Sequence, residues 1–304
     1  MTKIIVGVED SDRSSDAVTF AAELARPARA EVILANVYRY DPTPGRVTSP
    51  DLDRHLRAQA METLDRARAS LAGIDAEGRA LPGSSAAKQL QELAEREEAA
   101  LLVIGSSHRG GVGRVFAGTT AERLLHGSPC PVAVAPTGFA EREARGVRSI
   151  VVAYDGGKEA KAALAAALAA ARSLRAEVSV VRVLDASYVN EMSAEGWPAY
   201  AVSGERIERE ARERFEADMA ALREDAPIEA VFVVGDPVKE LAARTEAADL
   251  MVTGSRGYGP LRAVLLGSVS GRLVREAGCP VIVIPRGVDS HFEQLFAPTE
   301  RAPT

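Results

Sequence analysis

Residues 254–268, GSRGYGPLRAVLLGS, place a glycine after the run Leu250-Met251-Val252-Thr253, a second glycine three residues on, and a Gly-Ser pair ten residues later. Such spacing lets a backbone curl around phosphate. Gly254 has no Cβ, which permits a sharp strand exit and the close approach of a ligand, and Gly257 stands where a positive φ is expected. Gly267-Ser268-Val269-Ser270 then opens a helix. Its unpaired N–H groups and positive dipole end favour an anion, and the Ser268 and Ser270 hydroxyls add donors. Because the stretch holds no lysine, it is not a Walker loop of the form G-x-x-x-x-G-K-[ST]. Nor is it the dinucleotide fingerprint, whose glycine triplet follows a first strand. Arg256, Arg262 or a magnesium ion is left to balance a polyphosphate. On glycine spacing alone, a plain turn before a capped helix explains the stretch equally well.

The elements that must position this loop occur twice. Gly105 and Gly254, Gly118 and Gly267, Cys130 and Cys279, and Pro136 and Pro285 are each 149 residues apart. Near the start of each copy the offset is 146, as in Ile4-Ile5-Val6 against Ile150-Val151-Val152. Constant offsets over many positions mean a tandem duplication. The units are read as 1–137 and 148–287, with a linker over 138–147 and a tail over 288–304. In the second unit SIVVAYD, EVSVVRVLD, IEAVFVVG, DLMVTG and PVIVIP read as strands. Between them lie an alanine-rich helix from Lys158, a charged periodic segment over 204–225, a helix with Pro237 in its first turn, and a helix from Ser268 to Ala277. Near-continuous Val, Ile and Leu strands alternating with amphipathic helices define an α/β fold with a mostly parallel sheet covered on both faces. Right-handed crossovers bring the first-strand loop (Tyr154-Asp155-Gly156-Gly157) and the Gly254 loop to the carboxyl edge, where ligands sit.

Composition narrows the function classes. The chain has 304 residues, 46% hydrophobic and 26% charged, ample for two cores. It has no apolar run of about 18 residues, so no membrane-spanning helix is expected. Its first residues enter a strand without a signal-like segment, which predicts a cytoplasmic protein. A net charge of −6 argues against nucleic acid or anionic lipid as partner. Cys130 and Cys279 each precede a proline and an apolar run, and read as small buried side chains at strand entries rather than disulfide or metal partners.

Gly254, Gly257, nine residues and then Gly267-Ser268 resemble the ATP-binding signature G-x2-G-x9-G-[ST] of the universal stress protein family. The first strand ending in Asp155-Gly156, the VVGDP of residues 233–237, DLMVTGSRG and CPVIVIP agree with it, over essentially the whole chain and in both copies. The resemblance implies Rossmann-like, adenine nucleotide α-hydrolase-like doubly wound five-stranded sheets in tandem. The units would pair through their last strands, Pro131 to Pro136 and Pro280 to Pro285, and a homodimer is left open. It also implies ATP with magnesium as ligand and little or no turnover. By motif position, Asp155 would meet the ribose or adenine region beside Tyr154, and Val183 would border the base. Gly254, Gly257, Gly267, Ser268 and Ser270 would hold the triphosphate, with Thr253, Arg256 and Val269 also among the binding residues.

The first copy departs from this frame, reading Gly105, His108, Gly118, Thr119. Histidine replaces the second glycine, Glu9 stands for Asp155, Asp10 for Gly156, and Val37 for Val183. Histidine is strained at positive φ, and Asp10 adds negative charge beside a polyphosphate. Gly110, Gly111 and Gly113 restore some backbone freedom, and Thr119-Thr120 keeps hydroxyls at the helix start. His108 has no carboxylate partner nearby in sequence and reads as a solvated loop residue rather than a pH gate or base. The expectation is asymmetry, with the second site the better binder. Residues 188–200, holding the only tryptophan, read as a packed loop in preference to a lid. The apolar Phe292, Leu295 and Phe296 of the tail read as a frayed terminus in preference to a docking segment.

The leading function is thus an ATP-binding regulatory or signalling protein of the stress response that meets a protein partner. The loop shows no general base or nucleophile, and slow hydrolysis or autophosphorylation would fall to Ser268 or Ser270. The alternatives are a nucleotide-independent interaction module, and an ATP-hydrolysing or adenylyl-transferring enzyme. The latter lacks the expected S-G-G-x-D-S and H-x-G-H motifs.

Overall fold

The computed structural model describes residues 2–40, 49–106, 119–143, 145–193, 204–222, 227–255, 268–286 and 292–296. The first unit runs β1 (Lys3–Gly7), α1 (Asp12–Ala28), β2 (Glu31–Tyr38), α2 (Pro50–Ala69), β3 (Ala76–Pro82), α3 (Ala86–Arg96), β4 (Leu101–Gly105), α4 (Thr119–Gly127) and β5 (Val132–Ala135). The second repeats it as β6 (Ser149–Ala153), α5 (Lys158–Leu174), β7 (Glu177–Asp185), α6 (Ala186–Ser193), α7 (Gly204–Ala220), β8 (Ile228–Gly235), α8 (Pro237–Thr245), β9 (Leu250–Gly254), α9 (Ser268–Glu276) and β10 (Val281–Ile284). A short α10 (Phe292–Leu295) closes the described chain.

Each unit contributes five parallel strands, in the order β3-β2-β1-β4-β5 and its mirror β10-β9-β6-β7-β8. The two sets form one ten-stranded sheet, joined where β5 and β10 pair antiparallel with Val281 opposite Val134 and Val283 opposite Val132. Every residue of β5 and β10 is buried, so each apolar last strand covers the other's edge. Helices α1, α2, α5 and α7 pack on one face through Phe20, Leu64, Leu164 and Phe215. Helices α3, α4, α8 and α9 cover the other through Leu90, Leu124, Leu241 and Leu273. No described helix is long and apolar enough to cross a membrane.

The connections are anchored by named groups. Asp16, 3% exposed, accepts the Gly138 and Ala140 N–H groups at 3.0 and 2.8 Å, and Phe139 stacks edge-on against Phe20 at 5.6 Å. Three of the expected boundaries shift. The charged helix ends at Ala220 rather than 225. Residues 186–193 form α6 rather than loop, because Asp185 Oδ1 caps its start by accepting from Ser187 N and Oγ at 2.9 and 2.7 Å. Trp197 lies outside the described residues. The tail, read above as frayed, docks instead: Phe292, Leu295 and Phe296 are at most 8% exposed and join the core against α5.

Cys130 and Cys279 are free, buried thiols at the entries to β5 and β10. Burial pushes both up to about 12. An unfolded thiol therefore loses its proton first, and the associated stability is whole below about pH 9 and drains away as pH rises toward 12. Each thiol accounts for about 1.4 kcal/mol per pH unit in that window. Chemical denaturation at pH 9 and at pH 10 should thus show a loss that the Cys130→Ala/Cys279→Ala double variant largely escapes. An identical loss in the variant would place the alkaline sensitivity elsewhere.

Candidate functional site

Among the described residues, each unit has a crevice at the carboxyl edge of the sheet. That of the second unit has a volume of ≈ 520 Å³ and lies between the exits of β6, β7 and β9 and the starts of α8 and α9. Val183 and Leu241 supply an apolar wall, and Thr253, Gly254, Val269 and Ser270 form the side toward the glycine loop. Asp236, just before the crevice-lining Pro237, is the N-cap of α8, accepting from Val238 and Lys239 N–H at 2.9 and 3.2 Å. These bonds, the Lys239 one foremost, hold its carboxyl below the usual range. The VVGDP run is therefore a strand end followed by a helix cap and Pro at the first helical position.

Of the expected ligand residues, Tyr154, Asp155, Val183, Thr253, Gly254, Val269 and Ser270 line this crevice, and its polar side chains are already engaged within the fold. Asp155 Oδ1 accepts from Gly157 N at 2.8 Å, closing the turn that carries Gly156 at φ +85°. Ser270 Oγ donates to the Gly254 carbonyl at 2.9 Å, and the Thr253 hydroxyl donates to the same oxygen at 3.3 Å. Tyr154 borders the crevice, but its hydroxyl donates to Asp218 Oδ2 at 2.9 Å beneath α7. Burial first, and then Asp218, push the Tyr154 pKa upward. Ser268 opens α9. Arg256, Gly257 and Gly267 lie outside the described residues, as do His108 and Gly118.

Gly254 has a structural reason that sequence alone does not show. A Cβ there would lie 2.6 Å from Glu159 C and 2.7 Å from Glu159 O, in the first turn of α5. At Gly105 it would lie 2.4 Å from Arg13 O in α1. Both glycines let a helix start sit against the strand end, and this packing, rather than ligand approach alone, demands them.

Among the other residues lining the second crevice, four carry charged or aromatic side chains. Arg182 Nη1 donates to Asp155 O at 3.0 Å; Glu159 pairs with Arg286 at 3.4 Å; Asp185 caps α6; Tyr188 presents a half-exposed ring from α6. One signal was available for Arg182, a charge interrupting the apolar run EVSVVRVLD. The others carry no local signature.

The first crevice is smaller, ≈ 310 Å³, and includes Glu9, Val37, Gly105, Ser106 and Thr119. Arg13 stands where the second copy has Glu159, and pairs with Glu9 at 3.2 Å. Asp10, expected to repel a polyphosphate, pairs outward with Arg66 at 2.8 Å. Among the described residues no group of three or more His, Cys, Asp or Glu is placed to hold a metal ion.

A doubly wound parallel sheet with a crevice at its carboxyl edge is an α/β architecture whose ligands sit at that edge. The chain belongs to the universal stress protein family, which it matches over residues 1–136 and again over 146–285. It is 33% identical to universal stress protein Rv2005c of Mycobacterium tuberculosis over 186 residues, 61% of this chain and 62% of that protein, so the match spans less than two thirds of that relative. With universal stress protein Rv2623 of the same organism it shares 26% identity over 92% of this chain and 95% of the relative. A universal stress protein structure from Archaeoglobus fulgidus shares the fold with a TM-score of 0.67, at 21% identity over 94% of this chain and 98% of the other.

Proposed function

We propose that the chain is an ATP-binding regulatory protein of the stress response. The second unit would hold the nucleotide with magnesium, while the first binds it weakly or not at all. The observation that carries the reading is the second crevice itself. Val183 and the Tyr188 ring would offer an apolar surface for a base, Asp155 would meet the ribose, and the start of α9, whose Val269 and Ser270 line the crevice, would present backbone amides to a polyphosphate. Arg256 and Arg262 of the glycine loop would meet the phosphate charge. Since the polar side chains of the crevice already have partners within the fold, they serve to hold a ligand rather than to exchange protons with it. Bound nucleotide would order the loop surface for a protein partner in the cytoplasm. The units would act as 1–137 and 148–287, paired within one chain.

Denaturing freshly purified protein and quantifying the released nucleotide tests this directly. About one ATP per chain is expected, and Gly257→Val should weaken binding by at least about tenfold, equivalent to about 1.4 kcal/mol. Two per chain would overturn the asymmetry. None, with no uptake of added Mg-ATP, would leave the crevice a structural cleft and the protein an interaction module.

A further inference from the structure

The two crevices carry charge of opposite sign at the same place. Arg13 and Glu159 correspond at the offset of 146, each in the first turn of the helix that follows its unit's first strand. Both spring from beside a strand-end glycine. A Cβ at Gly105 would lie 3.3 Å from that of Arg13, and one at Gly254 would lie 2.8 Å from that of Glu159. Each of the two residues lines its own crevice. The second crevice therefore presents a carboxylate there, held by Arg286 at 3.4 Å. The first presents a guanidinium instead. The Arg13 side chain is 15% exposed and pairs at 3.2 Å with Glu9, whose side chain is 64% exposed.

The rest of the lining changes as well. At the offset of 149, Ile104 stands for Thr253 and Ala121 for Ser270, and with Val37 and Leu90 they give the first crevice an apolar side. Ser14, which stands for Ala160, has its hydroxyl engaged with the Glu9 backbone, accepting from the N–H at 2.7 Å and donating to the carbonyl at 2.6 Å. Thr119 and Thr120 place theirs in the first turn of α4, which also lines the crevice. The second crevice runs on past Val183 to Leu184, Asp185 and Tyr188. Among the described residues the lining of the first takes nothing from β2 beyond Val37, and the volume falls from ≈ 520 to ≈ 310 Å³.

We propose that the first crevice is a binding site of its own, for a small molecule that carries one oxyanion, a carboxylate or a phosphate, on an apolar body. The planar guanidinium fork suits such a head group, which it binds through two parallel N–H donors. The first-turn N–H groups of α4 have no partner within the helix and add to the same preference. One cation and one helix start match a single anionic group rather than a triphosphate, and the small volume agrees. The Glu9 carboxylate is the group that the ligand displaces. Being mostly exposed, it returns to water at little cost, while the largely buried Arg13 exchanges one anionic partner for another. Val37, Leu90 and Ile104 receive the apolar body. The inference stands independently of nucleotide binding in the second unit.

Titration calorimetry of the full chain with benzoate and phenyl phosphate, beside benzamide as an uncharged probe of similar shape, tests the site. At least one of the two anions should saturate at about one per chain, with a dissociation constant on the order of 1 mM. Which of them binds tells a carboxylate head from a phosphate one, and either supports the site. Benzamide should bind at least about tenfold more weakly. Arg13→Gln should weaken anion binding at least about tenfold, and Glu9→Gln, which removes the competing carboxylate, should tighten it about twofold or more. Benzamide binding as well as the anions would make the crevice an apolar cleft and overturn the proposal. Undiminished binding in Arg13→Gln would place the anion elsewhere, with the same consequence. So would weaker binding in Glu9→Gln, or no saturable anion at all. Should Arg13→Gln fail to fold, the Glu9→Gln variant and the benzamide comparison still decide.

Discussion

Replacing Gly254 with alanine should lower the melting temperature by about 6–12 °C and, with the second crevice binding nucleotide as proposed, abolish that binding, even though alanine is the smallest possible intrusion. The new methyl group would sit 2.6 Å from the carbonyl carbon of Glu159, and backbone in the first turn of a helix cannot rotate away as a side chain would. Helix α5 must retreat from β9, breaking an interface lined by Ala163 and Val252, both fully buried. Overpacking of this kind costs about 3 kcal/mol, and a unit of this size loses about 2–4 °C per kcal/mol. Gly105→Ala in the first unit should behave alike, its methyl lying 2.4 Å from Arg13 O. Thermal melts of both variants, run beside the nucleotide-release assay, decide the matter. If Gly254→Ala melts within about 1 °C of the parent and still loses nucleotide, the glycine serves ligand approach and the packing account is wrong. The result bears on how a glycine signature is read, because one of its members is demanded by helix packing whether or not a ligand binds.

The repeat and its strands were legible because parallel strands buried on both faces read as continuous apolar runs: Glu177–Asp185 and Ile228–Gly235 coincide with EVSVVRVLD and IEAVFVVG. The joining of the units through their last strands followed from the family resemblance, not from the strands' own composition, and β5 and β10 do pair. What sequence could not supply was anything set by contact between distant segments. The collision partner of Gly254 is a backbone atom of α5, invisible in a glycine spacing. The 146 and 149 offsets were evident, but between them the offset is 151 at the ends of α2 and α7 and 152 at the starts of β3 and β8, since the connection is one residue longer in the second unit, and no sequence motif marks that step. Tyr188 was passed over for a related reason. Asp185 looked like the end of a strand, whereas it also caps the helix that carries the ring to the crevice.

Phe292→Ala should be the most destabilising single change in the second unit, by about 3–5 kcal/mol. The ring is fully buried and meets Phe296 edge-on at 5.4 Å, and both lie against α5. That helix is unusually poor in bulk: Ala163, Ala166, Ala167 and Ala170 are all 0% exposed. Alanine favours the helix but leaves a shallow surface, so the apolar volume must come from neighbours. In the first unit Phe20 on α1 and Phe139 after β5 fill the corresponding interface, whereas in the second the tail brings the aromatics. Arg286, just before the tail, pairs with Glu159 at the head of the same helix, so the tail grips α5 at both the crevice end and its flank. The loss should therefore appear first as a lower melting temperature, with nucleotide affinity held within about threefold below the melt, because Glu159 and the Gly254 contact stay in place. Phe139→Ala in the first unit should cost less, since that ring is 7% exposed and Asp16 still anchors its segment by two backbone hydrogen bonds. A Phe292→Ala variant that melts within about 2 °C of the parent would show that the tail leaves α5 in solution, restoring the frayed terminus that the composition of residues 288–304 suggests.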